Sequence, residues 1–217
     1  MVAQVMPYNV TMIESTSPDF PVALHHRALV TSCLRIWAMG NLEILKTRLL
    51  GFLCSTKCPG NVIVQTYDLA RTLRDTGVPV IGGFHAPMER ECLDLLLRGQ
   101  QPVVICPARG IEHMRIPGNW RIPLDAGRLL VCSPFATHHR RPTTDIAEQR
   151  NRLVAALADA VMVAYASPGS KIARLSAEMV ASGKRVYTFD LSENGELILH
   201  GVKGYAVPDL VDCLVHH

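Results

Sequence analysis

Residues 144–189 read TDIAEQRNRLVAALADAVMVAYASPGSKIARLSAEMVASGKRVYTF. Thr144 to Ala158 has the periodicity of a helix, with Thr143 or Thr144 placed to cap its first turn. Ala160 to Ala164 is a short apolar run of strand type. Ser167-Pro168-Gly169-Ser170-Lys171 is turn chemistry. Ile172 to Ser182 is a second helix closed by Gly183, and Arg185 to Phe189 a second strand. Strand, helix, strand in this order is a βαβ unit, which requires a parallel sheet. The strand runs are apolar throughout rather than alternating, as expected of strands covered on both faces.

Working outward, the pattern continues. Upstream strand runs are Leu49–Cys54, Val78–Ile81 ending in Gly82-Gly83, Pro102–Cys106 and Arg128–Cys132. Helices are predicted at Asn61–Asp75, stopped by Gly77, and at Pro87–Arg98, with Gly99 as its cap. Downstream, Leu197–Leu199 reads as a short edge strand and Pro208–Val215 as a terminal helix. The expected fold is α/β: a Rossmann-like three-layer sandwich with a mostly parallel sheet. Residues 1–217 are expected to form one domain. Residues 1–46 are a lead-in packing on the sheet, in which Leu34–Gly40 is a candidate strand.

Hydrophobic residues at 48% against 19% charged are enough to bury a core and exclude a disordered chain. No apolar run reaches the roughly 18–20 residues that span a bilayer, and Met1 to Phe20 does not resemble a signal peptide. The seven cysteines lie at irregular spacings, several inside apolar runs, which predicts reduced, buried thiols and a cytoplasmic location. Cys54 and Cys58 fit no strong zinc spacing. The His25-His26 and His138-His139 pairs read as loop residues, and His216-His217 as the stub of a tag. No metal and no cofactor is expected. A net charge of +3 permits a nucleic-acid partner without demanding one.

Ligands of open parallel sheets bind outside the strand C-termini. In this chain those ends carry Ser55 and Lys57, then Gly82, Gly83, His85 and Glu89, then Arg109, and finally Ser167, Gly169, Ser170 and Lys171. Small residues opening a helix let backbone N–H groups approach a phosphate, and Lys171 could pair with it; the alternative is an ordinary turn between strand and helix. Neither a P-loop nor a GxGxxG fingerprint is present. His85 or Glu89 could act as acid or base; alternatively, Glu89 serves only the positive helix start. Arg150-Asn151-Arg152 reads either as a solvated helix face or as an anion-binding fork.

These residues resemble the DprA/Smf family, the DNA-processing protein A core of the SLOG superfamily. Arg150-Asn151-Arg152 through Asp159, then Ser167–Lys171, is similar to the family's "RNR…GLSD" helix and "SGSL" turn. Gly183–Tyr187 and Leu197–Gly201 continue the likeness. Val80–Gly83 with Met88-Glu89 falls where the family has "VVSG…GID", and Leu49–Lys57 where it has "VGSR". The sequence departs at Cys54-Ser55-Thr56, which lacks that Gly and Arg, and at Pro87-Met88-Glu89. The resemblance implies a stand-alone core, without the helical and winged-helix domains of longer members. It implies single-stranded DNA held in a basic pocket, a homodimer, RecA loading and no established catalysis.

Carried over by position, Ser55, Lys57, Gly83, His85, Arg150, Arg152, Ser167, Gly169, Ser170 and Lys171 would line that pocket. Arg109, Arg115, Arg140 and Arg141 would add charge, and Phe84, Trp120, Phe135 or Tyr165 stacking surfaces. The alternative is a nucleotide sensor or a phosphoribohydrolase-like enzyme, for which Pro168-Gly169-Ser170 and Glu178 offer a faint likeness. A third reading is a partner-binding module that has lost its ligand. No membrane partner is expected.

Overall fold

The computed structural model describes residues 8–25, 29–30, 33–136 and 143–216. His26, His138, His139, Arg140, Arg141 and His217 lie outside the described residues. The apolar runs become strands: β1 (Thr11–Glu14), β2 (Arg35–Gly40), β3 (Leu50–Cys54), β4 (Val80–Gly82), β5 (Val103–Ile105), β6 (Leu129–Ser133), β7 (Ala160–Tyr165), β8 (Arg185–Phe189) and β9 (Lys203–Tyr205). Between them stand α1 (Gly60–Thr76), α2 (Pro87–Leu96), α3 (Gly118–Asp125), α4 (Thr144–Leu157), α5 (Lys171–Ala181), α6 (Gly195–Leu199) and α7 (Val207–His216). Thr143 accepts from the Ile146 N–H at 3.3 Å to start α4, and Gly77, at φ 77°, ends α1 in the left-handed region that glycine enters freely.

Among the described residues the nine strands form one sheet in the order β1-β2-β6-β5-β4-β3-β7-β8-β9. β2 is antiparallel to both neighbours, while β3 to β9 pair in parallel. The sheet is therefore mostly parallel and Rossmann-like. Successive strand residues face opposite layers. Phe52, Met162 and Val131 pack with α1, α2 and α7 through Leu69, Leu96 and Leu210. Leu53, Val161, Val163 and Leu130 pack with α4 and α5 through Leu153, Leu157, Leu175 and Met179. A slip of one residue in any central strand would exchange the two layers' side chains, which is why the register is well specified.

The Leu197–Leu199 reading needs correction: these residues belong to α6, and the edge strand is β9, paired to β8 at Tyr187↔Lys203. Three apolar residues carry no period. The buried Asn194, just before α6, donates to the carbonyls of Ala164 and Phe189 and so anchors the start of this helix to the ends of β7 and β8. α3 and β1 were not anticipated. Pro123 lies inside α3, where a proline ordinarily argues against a helix.

From β3 the chain builds β4, β5 and β6 to one side, then returns to lay β7, β8 and β9 on the other. The boundary between β3 and β7 is the topological switch point, where open α/β sheets leave a crevice for ligands. Asp159 fixes its far end: its carboxylate accepts from Leu49 N–H at 2.8 Å, and its own N–H donates to the Leu49 carbonyl at 2.9 Å.

Candidate functional site

At the switch point, Ser55 works as a clasp. Its N–H donates to the Tyr165 carbonyl at 2.9 Å, and its hydroxyl accepts from Ser167 N–H at 3.1 Å. The loops after β3 and β7 are thus stitched together, and the crevice is closed there. Lys57 lies beyond the clasp on the exposed surface.

The loop after β4 is held from below. Glu89, 3% exposed, accepts from the N–H groups of Cys54 at 3.0 Å, His85 at 2.8 Å and Ala86 at 3.2 Å. The carboxylate thus satisfies three backbone donors at the start of α2, two of them buried. It positions the loop, and its charge suits the helix N-terminus. Phe84 adopts φ 47°, alone among described non-glycine residues in the left-handed region. Its ring packs so closely on Gly82 that a Cβ there would come within 2.9 Å of it. Such strain persists only where surrounding contacts impose it.

Gly83 receives Arg150. A Cβ on Gly83 would fall 1.5 Å from Arg150 Nη1 and 1.9 Å from its Cζ, so only a bare backbone admits the guanidinium. Arg150 is 4% exposed. Its Nη1 donates to the Cys106 carbonyl at the end of β5 (3.3 Å), and its Nε donates to Asn151 Oδ1 (2.7 Å). No carboxylate forms an ion pair with it among the described residues. A buried cation offset only by neutral dipoles is costly, by several kcal/mol before relaxation, and an arriving anion would relieve that cost. His85 lies at the rim; burial first, then the positive charges of Arg150 and Arg90, lower its pKa against a smaller opposing effect of Glu89. Near neutral pH the ring is therefore uncharged and adds nothing to the cationic field.

The turn before α5 is built differently. Ser170 caps α5 by accepting from Ala173 N–H at 3.2 Å. Gly169, at φ 65°, gives its N–H to Glu196 Oε1 from α6 at 3.3 Å. Lys171 pairs with Glu148 at 2.6 Å and Asp145 at 3.2 Å, and the hydrogen bond with Glu148 raises the Lys171 pKa while lowering that of Glu148. Arg152 grips Glu178 with two hydrogen bonds of 2.5 and 3.0 Å. The Gly169 N–H and the Lys171 charge are thus already engaged by carboxylates of the chain itself, and the Ser167 N–H by the Ser55 hydroxyl.

The family model for DNA recombination-mediator protein A matches residues 11–194. The chain belongs to that family. Among solved structures it is similar to DNA processing protein A from Streptococcus pneumoniae, with a TM-score of 0.77 at 17% identity over 94% of this chain and 74% of that one. It is likewise similar to DNA processing protein A from Helicobacter pylori, a protein described by its single-stranded DNA binding mode. There the TM-score is 0.75 at 17% identity over 96% and 97% of the two chains. A molybdenum cofactor binding protein from Rippkaea orientalis is more distant, with a TM-score of 0.56 at 11% identity over 78% and 96%. No curated protein matches the sequence significantly.

Within this recombination-mediator framework the predicted site residues divide. Gly82, Gly83, His85, Glu89 and Arg150 converge at the ends of β4 and β5. Ser55, Ser167, Gly169, Ser170 and Lys171 gather at the β3–β7 boundary, mostly engaged within the protein. Arg109 follows β5, its side chain exposed and its carbonyl accepting from the Ser133 hydroxyl at 2.7 Å. Arg152 does not join Arg150. Two positions along a helix turn a side chain by about 200°, so a fork was ruled out by helical spacing alone. The roles of Phe84 and of the Cys106 carbonyl were missed in the sequence; only the second glycine of Gly82-Gly83 hinted that a side chain lies over the backbone.

Proposed function

We propose that this chain binds single-stranded DNA through backbone phosphates seated at Arg150, in the cradle formed by Gly83, the Cys106 carbonyl and the His85 rim. The observation that carries this reading is the buried guanidinium over Gly83 with no carboxylate to neutralise it. The planar fork of a guanidinium can pair bidentately with two oxygens of a phosphate. Membership of a DNA recombination-mediator family and likeness to a structure described as binding single-stranded DNA point the same way. Homodimerisation and a cytoplasmic location, which no transmembrane-length apolar helix among the described residues opposes, belong to the same reading. The nucleotide alternative draws less support. Glu178, its faint candidate glutamate, is held by Arg152 on the outer surface.

The test is fluorescence anisotropy with a labelled single-stranded oligonucleotide at two salt concentrations, for the wild type and Arg150→Met. Binding that weakens steeply with salt, and weakens again in the variant, supports the proposal. Absence of binding at low salt, or equal binding by Arg150→Met, overturns it.

A further inference from the structure

Three of the seven cysteines are partly exposed, Cys33, Cys58 and Cys213, and the other four are buried. Cys58 differs from the other two in what stands behind it. It lies between the end of β3 and the start of α1, and its side chain packs on the core cluster that holds Cys54 and Cys92. A hydrogen bond joins the Cys54 and Cys58 thiols. An accessible sulfur with a second sulfur directly beneath it is the arrangement of a thiol pair that oxidises to a disulfide.

The two sulfurs are not equivalent. The hydrogen bond from Cys54 lowers the Cys58 pKa, against an opposing effect of burial. The start of α1 works in the same direction. Pro59, its cap, brings no side-chain acceptor, and the first turn holds no acidic residue, so the positive helix end favours a thiolate beside it. Cys54, 2% exposed, has its pKa raised, first by that hydrogen bond, then by burial and by the negative charges of Cys58 and Glu89. Its proton has two acceptors within reach, the Cys58 sulfur and the Ser55 carbonyl at 3.4 Å. Cys58 is therefore the nucleophile, and Cys54 the thiol that resolves it. The remaining cysteines lack this poise. Burial raises the Cys33 pKa to about 11, and Cys213 donates to the Tyr187 hydroxyl at 3.7 Å. Cys106 and Cys132 stand 3.5 Å apart but are wholly buried, away from any oxidant in solvent.

We propose that Cys58 and Cys54 are a modification site for hydroperoxides, closing to a disulfide at the end of β3. The Cys58 thiolate attacks one oxygen of hydrogen peroxide. The O–O bond breaks, Cys58 becomes a sulfenic acid, and the departing hydroxide takes up the proton that Cys58 had released. The Cys54 sulfur then attacks the Cys58 sulfur, the S–O bond breaks, and the hydroxyl leaves as water with the Cys54 proton. Two thiols lose two electrons, and one peroxide becomes two waters. Residues 55–57 lie outside helix and strand, so closing the bond draws on this loop and not on β3 or α1. The ring so formed encloses Ser55, whose hydroxyl clasps Ser167. The chemistry of the pair does not depend on DNA binding at Arg150.

The reduced full chain is treated with hydrogen peroxide, blocked with iodoacetamide and digested with trypsin. Cleavage after Arg48, Lys57 and Arg71 puts Cys54 and Cys58 in separate peptides, residues 49–57 and 58–71, each with one cysteine. The expected result is a linked pair of these two peptides, formed before the free Cys92, Cys106 and Cys132 peptides decline and dissolved by dithiothreitol. In Cys58→Ser the link should disappear and Cys54 should stay reduced. In Cys54→Ala, Cys58 should accumulate as the sulfenic acid, captured by dimedone. Should the buried Cys54 variant fail to fold, Cys58→Ser, at a partly exposed loop position, carries the test alone. Wild-type peptides that stay unlinked overturn the inference, whether or not another cysteine oxidises, and so does a Cys54 that oxidises equally well in Cys58→Ser.

Discussion

Two candidate anion sites stand side by side on one rim, and they differ in who neutralises them. At the ends of β4 and β5, Arg150 is buried over Gly83 with neutral partners only. At the start of α5, the serines, Gly169 and Lys171 have the composition of a phosphate turn, yet Glu196 already takes the Gly169 N–H, and Glu148 and Asp145 already meet the Lys171 charge. Residue types alone would favour the second. The partners favour the first, because a site is open when its charge is unmet.

The sharpest way to break this contrast is to remove what holds the first region. Glu89→Ala strands three N–H groups, two of them buried and each of those worth about 1–3 kcal/mol, and should be the most destabilising substitution along this rim. Chemical denaturation measures it, and a loss below about 1 kcal/mol would deny Glu89 its structural role. Next, Arg150→Met should cost about 10- to 100-fold in affinity for single-stranded DNA, the worth of a charge-assisted hydrogen bond. The same change should leave the melting temperature equal or raise it, since an uncompensated buried charge is exchanged for an apolar chain. A variant both weaker in binding and much less stable would indicate a structural arginine instead.

Smaller effects sharpen the comparison. Glu196→Ala frees the Gly169 N–H and should strengthen binding about two- to fivefold, as one helix-terminal anion contact provides; weaker binding would assign Glu196 to the ligand. Lys171→Ala should alter the anisotropy titration by less than about twofold, the contribution of an exposed charge already paired. The His85 pKa is lowered in the folded protein. Below the ordinary histidine range the unfolded state therefore binds more protons, and stability should fall slightly as the pH drops through it. DNA binding should move the opposite way over the same interval, because protonation adds a positive charge at the rim. His85→Gln should flatten both trends.

The central strands were legible because they are buried on both faces and read as unbroken apolar runs, such as Leu50–Cys54 and Ala160–Tyr165. The helices between them declared themselves by period and by Gly77 and Gly183. What stayed hidden had a competing signal. Pro123 disguised α3, and Leu197–Leu199 was too short to carry a period. In the site, the sequence named Arg150, Gly83 and Glu89 but not their relation. It could not distinguish the arginine that turns inward to Cys106 from the one that turns outward to Glu178, except through the helical angle between them. Nor could it reveal that Ser55 closes the switch-point crevice, because that bond spans 112 positions of chain.

Arg150 meets the Cys106 carbonyl across 44 residues and lies against Gly83 from still further along the chain. The seat therefore comes into being only when β4, β5 and α4 have all docked, and fraying at any of the three abolishes it. A strand bound there selects the fully assembled sheet over every partly opened form. Its protection against amide exchange should therefore spread through the central strands instead of staying beside the contact. In this architecture ligand binding doubles as a report on the integrity of the whole fold.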